Sequence, residues 1–195
     1  MTFAAMLQAL KGQVETLDRR GNLDVSVSAI TDDSRTVRAG SVFVAVKGER
    51  TDGHTFIPVV VKGGVAAVVL QEPAMDLPVP FVRVADSRKA LGLLGNHFYG
   101  EPSSKIRMIG VTGTNGKTTT TYVCKALLEA LGRRVGLIGT VAYQIGNETI
   151  PASHTTPGAL ELQQLLAKMV AGGCTTAVME VSSHALALHR VDGLR

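Results

Sequence analysis

Apolar and polar positions along this chain follow two different rhythms, one before residue 100 and one after it. In the first stretch, residues 25–30 alternate apolar and small polar side chains, the pattern of a half-buried strand. Residues 41–46 (Ser-Val-Phe-Val-Ala-Val) read as a second strand after the Ala39-Gly40 turn. Residues 65–70 form a strongly β-branched third and residues 81–84 a short fourth, separated by a loop carrying Pro73, Pro78 and Pro80. Helices are expected over residues 2–10, over 56–62 with Gly63-Gly64 ending the turn, and from Asp86 or Ser87 to 99. In the last of these, Leu91, Leu94 and Phe98 share one face.

Gly100-Glu-Pro-Ser-Ser104 is turn-rich, and the domain boundary is expected there, giving domains 1–102 and 103–195. The second stretch reads strand 106–111, helix 117–131, strand 135–138, helix 159–170 and strand 175–180. Helix 117–131 carries an apolar stripe of Val123, Ala126, Leu127, Ala130 and Leu131. Helix 159–170 carries one of Leu162, Leu165, Leu166, Met169 and Val170, and Gly172-Gly173 stops it. Strands alternating with helices at this spacing predict an α/β fold with a parallel sheet.

Composition changes this picture little. The chain has 195 residues, enough for one or two domains. Tryptophan is absent and aromatic residues make up 4%, so the cores must rest on aliphatic side chains and methionine. The net charge of +4 is not gathered into the basic stripe that nucleic-acid binders show, so no nucleic-acid partner is expected. Cys124 and Cys174 make no disulfide framework. The first ten residues do not read as a signal peptide, and no stretch reaches the ~18 apolar residues of a membrane span. A soluble cytoplasmic protein is the default expectation, with no membrane partner.

The chemistry sits in Gly110-Val-Thr-Gly-Thr-Asn-Gly-Lys-Thr-Thr119. It follows a predicted strand and opens a predicted helix, the setting in which glycines let backbone N–H groups turn toward phosphate oxygens and the helix N-terminus adds a favourable dipole. Lys117 would reach the β- and γ-phosphates, and Thr118 would offer its hydroxyl to Mg²⁺. The spacing departs from the usual pattern: Val111 stands where a first glycine is expected, and glycines fall at 110 and 113 instead. A phosphate loop also needs a carboxylate at a strand end to organise Mg²⁺. Glu180, directly after Ala177-Val178-Met179, is the candidate. His184 and His189 have no further metal-type partner at useful spacing, and His54 and His97 read as surface or packing residues. Taken alone, Arg190 suits a diphosphate or carboxylate as well as it suits an ordinary surface position.

Gly113-Thr-Asn-Gly-Lys-Thr-Thr119 resembles the ATP loop of the Mur ligases and of the related folylpolyglutamate synthetases. Thr31-Asp-Asp-Ser-Arg35, Gly40-Ser-Val-Phe-Val-Ala-Val-Lys-Gly48 and Asp52-Gly-His54 resemble the N-terminal uridine-binding domain of the Mur ligases. His154-Thr-Thr-Pro157 and Met179-Glu-Val-Ser-Ser-His-Ala185 resemble those Mur ligases that add the third amino acid. The resemblance spans nearly the whole chain. It implies a small α/β domain binding UDP-MurNAc, followed by the first part of a P-loop ATPase domain with a parallel sheet.

The resemblance also implies site roles. Gly113, Thr114, Asn115, Gly116, Lys117, Thr118 and Thr119 would bind ATP, with Lys117 catalytic and Thr118 and Glu180 on Mg²⁺. Asp32, Ser34, Glu49, Arg50 and Thr51 would contact the uridine end of the nucleotide sugar. His154, Thr155, Thr156, Ser182, Leu188 and Arg190 would line the path of the muramoyl peptide, with Leu188 standing where some members carry glutamine. The implied reaction is ATP-dependent amide formation through an acyl phosphate, joining meso-diaminopimelate or L-lysine to UDP-MurNAc-L-Ala-D-Glu. Family members are longer; their further parts would supply another Mg²⁺-binding histidine, a carboxylated lysine and a domain for the amine, and the full-length enzyme is expected to be a monomer. Two other readings stay open from the residues: a nucleotide- or UDP-sugar-binding fragment without turnover, and a related ligase such as a folylpolyglutamate synthetase.

Overall fold

A computed structural model describes residues 1–48, 51–73 and 76–194. It divides into two compact units, Met1–Phe98 and Tyr99–Arg195. Among the described residues no helix is long and apolar enough to cross a membrane.

The first unit is built on a five-stranded sheet of β1 (Thr16–Arg20), β2 (Ala29–Thr31), β3 (Ser41–Val44), β4 (Ala67–Leu70) and β5 (Phe81–Val84), in the order β1-β5-β4-β3-β2. Strands β2 to β5 are parallel and lie side by side in chain order, while β1 pairs antiparallel with β5. Strands β3 (Ser-Val-Phe-Val) and β4 (Ala-Val-Val-Leu) are buried throughout, as strands covered on both faces are. Phe43, Val68, Leu70 and Phe81 pack with Ile57 and Val60 of α2 (Ile57–Lys62). The alternate residues Val42, Val44, Val82 and Val84 point the other way and are equally buried. Also buried are Phe3 and Met6 of α1 (Phe3–Met6), Leu10 of the 3₁₀ turn Leu7–Leu10, and Ala90, Leu91 and Leu94 of α3 (Ser87–Phe98).

Two expectations change here. The expected first helix stops after one turn and tightens into the 3₁₀ turn, and the chain then enters β1, which pattern reading missed. Thr-Leu-Asp-Arg-Arg offers no apolar alternation because β1 is an edge strand with mostly exposed side chains. The strand expected over residues 25–30 is confined to Ala29–Thr31.

The second unit holds β6 (Arg107–Val111), β7 (Val135–Ile138), β8 (Ala142–Ile145), β9 (Glu148–Pro151) and β10 (Thr176–Glu180), in the order β6-β10-β7-β8-β9. The first three in that order are parallel. The β8–β9 hairpin extends the sheet antiparallel around Gly146-Asn147. That hairpin was not expected, although a glycine with φ of 58° beside asparagine is a recognised turn signal. On one face, Leu162, Leu165, Leu166 and Met169 of α5 (Ala159–Ala171) meet Ile138, Tyr143, Ala177 and Met179. On the other, Val135, Leu137 and Val178 meet Tyr122, Cys124 and Leu128 of α4 (Lys117–Ala130).

The apolar stripe expected to bury α4 does not do so. Val123, Leu127 and Leu131 are 51%, 61% and 76% exposed, while Thr121 is wholly buried. Rotation about the helix axis is set at its first turn, where Thr118 faces β10. Residues three and four further on follow it onto the same side, bringing Thr121, Tyr122 and Leu128 to the sheet and leaving the stripe outward.

Gly136 in the centre of β7 is a contact of necessity. A Cβ there would lie 2.3 Å from Sδ of the fully buried Met169. Gly136→Ala is therefore expected to destabilise the second unit by about 1–3 kcal/mol through overpacking. Urea unfolding of the two proteins, followed by far-ultraviolet circular dichroism, checks this.

Candidate functional site

Three segments meet at the carboxyl ends of β6, β7 and β10. The loop after β6 closes on Gly116, whose φ of 80° is left-handed and which caps α4 without a side chain. Gly113, at φ 144°, makes the other turn that a residue with a Cβ resists. The amides of α4's first turn therefore face an open loop at the positive end of a 14-residue helix. Lys117 reaches back across this loop, its Nζ donating to the carbonyl of Gly113 at 2.9 Å and of Thr114 at 3.4 Å.

Strand alternation then places the carboxylate. Val178 points to the α4 face of the sheet, so Glu180 two residues on points there too. Glu180 is 1% exposed. Its Oε2 accepts from Thr118 Oγ1 at 3.0 Å and from Thr140 Oγ1 at 3.2 Å, and its Oε1 accepts from the Thr140 amide at 2.9 Å. Gly139 makes room for this: a Cβ there would stand 2.4 Å from Glu180 Oε1. Every one of these donors is neutral. A carboxylate this enclosed, with no cationic partner among the described residues, fits a bound cation. The donor set, one carboxylate and one hydroxyl beside a phosphate loop, suits Mg²⁺, which keeps waters and takes phosphate oxygens for its other positions.

A cavity of about 400 Å³ is lined by residues 114–119 with Thr140, Thr155, Glu180 and Ser182. Thr140 was not singled out from the sequence. Its hydroxyl links Glu180 to Thr155 Oγ1 at 3.0 Å, and its only sequence signal is a Gly-Thr pair after a buried strand. His154, Thr156, Leu188 and Arg190 do not line the cavity. Thr156 is 1% exposed, and its hydroxyl bridges the Glu180 carbonyl at 2.9 Å and the Ser182 amide at 3.1 Å. Arg190 Nη1 donates to the Thr156 carbonyl at 2.8 Å. His154 is exposed and held through its backbone by the buried Tyr143 hydroxyl. Leu188 is the half-buried cap of α6 (Ser183–Ala187), and Ser182 caps that helix's start by accepting from the Ala185 amide.

In the first unit, the parallel strands β2 to β5 also present their carboxyl ends along one edge, the usual ligand edge of such sheets. Asp32 and Ser34 follow β2 there, and Thr51 belongs to the segment after β3. Glu49 and Arg50 lie outside the described residues. Asp33 caps the turn Ser34–Thr36 and pairs with Arg35 at 2.7 Å. Hydrogen bonds from Arg35 hold the Asp33 carboxyl below the ordinary carboxylate range. Loss of surrounding water, with Asp33's charge added, pushes Asp32 upward. Asp32 is nonetheless exposed, as a side chain in an open concavity can be, so the rise implies no large stability cost.

Residues 26–99 match the model of the Mur ligase family catalytic domain, and residues 111–195 that of the Mur ligase middle domain. The chain belongs to the Mur ligase family. It is 43% identical over 193 residues to a UDP-N-acetylmuramoyl-L-alanyl-D-glutamate–2,6-diaminopimelate ligase of Caldanaerobacter subterraneus subsp. tengcongensis, covering 98% of this chain and 39% of that protein. It is 46% identical over 186 residues to the ligase of the same name from Alkaliphilus metalliredigens, covering 95% of this chain and 38% of that protein. A solved structure of a ligase of that name aligns with a TM-score of 0.79 at 28% identity, over 99% of this chain and 38% of the other. The MurF ligase of Thermotoga maritima in complex with ADP aligns at 0.55 and 28% identity, over 82% of this chain and 33% of the other. The chain thus spans about two fifths of the length of the Caldanaerobacter and Alkaliphilus relatives.

Within this Mur ligase chain, Asp52 gives a pH-dependent test of the first unit. The His54 amide and then the His54 ring hold its carboxyl below the ordinary value of 3.8. A depressed folded-state pKa contributes stability that is present above the unfolded value and lost as pH falls through the folded one. Asp52→Asn is expected to lower the unfolding temperature at pH 7, with the deficit closing as pH drops below 3.8. Thermal melts of both proteins from pH 7 to pH 2.5 measure it.

Proposed function

We propose that this chain binds ATP in the second unit and UDP-MurNAc-L-Ala-D-Glu with a uridine site in the first, as the substrate-activating part of an ATP-dependent ligase. The diamino acid joined is proposed as 2,6-diaminopimelate, because the relatives reported above carry that name. The domain assignment follows: residues 1–102 for the nucleotide sugar, and 103–195 as part of the ATP-binding domain. The observation that carries the reading is the bond from Thr118 at the loop to the buried Glu180, with Lys117 beside it.

Residues 113–119 would wrap the phosphates through their amides and the dipole of α4. Thr118 and Glu180 would hold Mg²⁺, which when bound neutralises phosphate charge. Thr140 holds the carboxylate by its amide and hydroxyl, and Gly139 leaves room for it. Lys117 would exchange its two carbonyl acceptors for the terminal phosphate and stabilise the charge that builds during transfer. In the proposed first step, an oxygen of the D-glutamyl side-chain carboxylate attacks the γ-phosphorus and ADP leaves. The amine then attacks the acyl phosphate carbon, phosphate departs, and the amine loses a proton. Asp32, Ser34 and Thr51 would contact the uridine, and Thr155, Ser182 and His154 the muramoyl peptide. Thr156 and Arg190 would act behind them, by bracing the backbone from Thr156 to Ser182.

Calorimetric titration with ATP, with and without MgCl₂, tests the loop. Lys117→Ala is expected to weaken ATP binding by about tenfold or more, the size of a lost charge-assisted contact. Glu180→Gln is expected to remove the dependence on MgCl₂. Both variants should bind UDP-MurNAc-L-Ala-D-Glu as the parent does. ATP affinity unchanged in both would reject the reading.

A further inference from the structure

The sequence offers His54 as an ordinary packing residue, but its surroundings in the first unit are specific. Its side chain is 11% exposed. Nε2 lies 2.9 Å from the amide nitrogen of Gln71 and 3.3 Å from that of Glu72. Both groups can only donate, so Nε2 must carry the lone pair and the ring proton must sit on Nδ1. Nδ1 is 2.7 Å from Asp52 Oδ1, which also accepts from the His54 amide at 2.9 Å. Gly53 between them admits no side chain, since a Cβ would meet the Val46 carbonyl oxygen at 2.7 Å.

These bonds form a ring of contacts among three segments at the ligand edge. Lys47 and Asp52 form an antiparallel bridge beside Thr51. Asp52 holds His54, and His54 holds the exit of β4 at Gln71. Gln71 Oε1 in turn accepts from the Ser87 amide at 3.1 Å, and Gln71's carbonyl accepts from Arg83 Nε at 3.1 Å. Arg88, one residue into α3, returns to donate to the Lys47 carbonyl. Each segment is thus tied to its neighbour, and the His54 imidazole spans the carboxylate and the two amides.

We infer that His54 is a positioning residue for nucleotide-sugar binding, which in its Nδ1-protonated form fastens the Lys47–Asp52 bridge at Asp52 to the end of β4. This rests on the uridine site proposed above. Long-range ¹⁵N–¹H spectra of the 195-residue chain are expected to show His54 protonated at Nδ1 and bare at Nε2 near pH 7; an Nε2-protonated ring overturns the inference. His54→Phe keeps the ring's bulk and removes both hydrogen-bonding atoms. It is expected to weaken UDP-MurNAc-L-Ala-D-Glu binding roughly tenfold, leave ATP binding unchanged and speed hydrogen exchange at the Gln71 and Glu72 amides. His54→Gln, whose carbonyl can still accept from the Gln71 amide, should recover part of the loss. Parent-like affinity in a folded His54→Phe protein overturns the positioning role. If the parent chain itself fails to bind the nucleotide sugar, the uridine assignment falls, and the tautomer and amide exchange still decide whether His54 fastens Asp52 to the end of β4.

Discussion

Much of the second unit is arranged around one buried carboxylate. Glu180 ends a strand covered on both faces, where a charge is costly unless something answers it. Thr118, the Thr140 amide and the Thr140 hydroxyl answer it with hydrogen bonds, which draw two segments, the start of α4 and the chain after β7, to the same point. Thr118 sets the rotation of α4. Thr140 sets the path of the chain leaving β7. Gly139 must lack a side chain for either to reach. All of these donors are neutral, and no cationic side chain among the described residues pairs with the carboxylate.

A consequence runs outward from that point. Because the first turn of α4 is committed to Glu180, the helix buries Thr121, brings the half-buried Tyr122, Cys124 and Leu128 to the sheet and leaves Val123, Leu127 and Leu131 exposed. The core on the other face of the sheet is supplied by α5. Site geometry, not hydrophobicity, decides the orientation of this element.

The first unit solves a different problem. Its parallel strands run side by side in chain order, so every loop at the carboxyl edge follows a strand from the same side, and nothing in the sheet itself orients those loops. Side chains do so. Asp33 organises the turn after β2, and Asp52 with His54 organises the segment after β3 and joins it to the end of β4. Both aspartates have depressed pKa values because they accept several hydrogen bonds at once.

The sequence by itself determined the parallel α/β character, the phosphate loop and the carboxylate. Those features are local: a β-branched run, a Gly-Lys-Thr at a strand-to-helix turn, and a glutamate two residues from a buried valine on the same face. It also carried the family likeness that the matched domains and relatives bear out. It did not disclose β1, whose five side chains are mostly exposed and charged, nor the β8–β9 hairpin, whose outer strand is largely exposed, because edge strands are held by backbone pairing that leaves little mark on side-chain pattern. The contacts of Thr140 and of His54 were not legible for a related reason. Their partners, Glu180 forty residues on and Gln71 seventeen residues on, are brought close only by the folded chain. Tertiary structure alone decided which face of α4 is buried, since periodicity locates an apolar stripe but cannot say that a threonine–glutamate bond will outrank it.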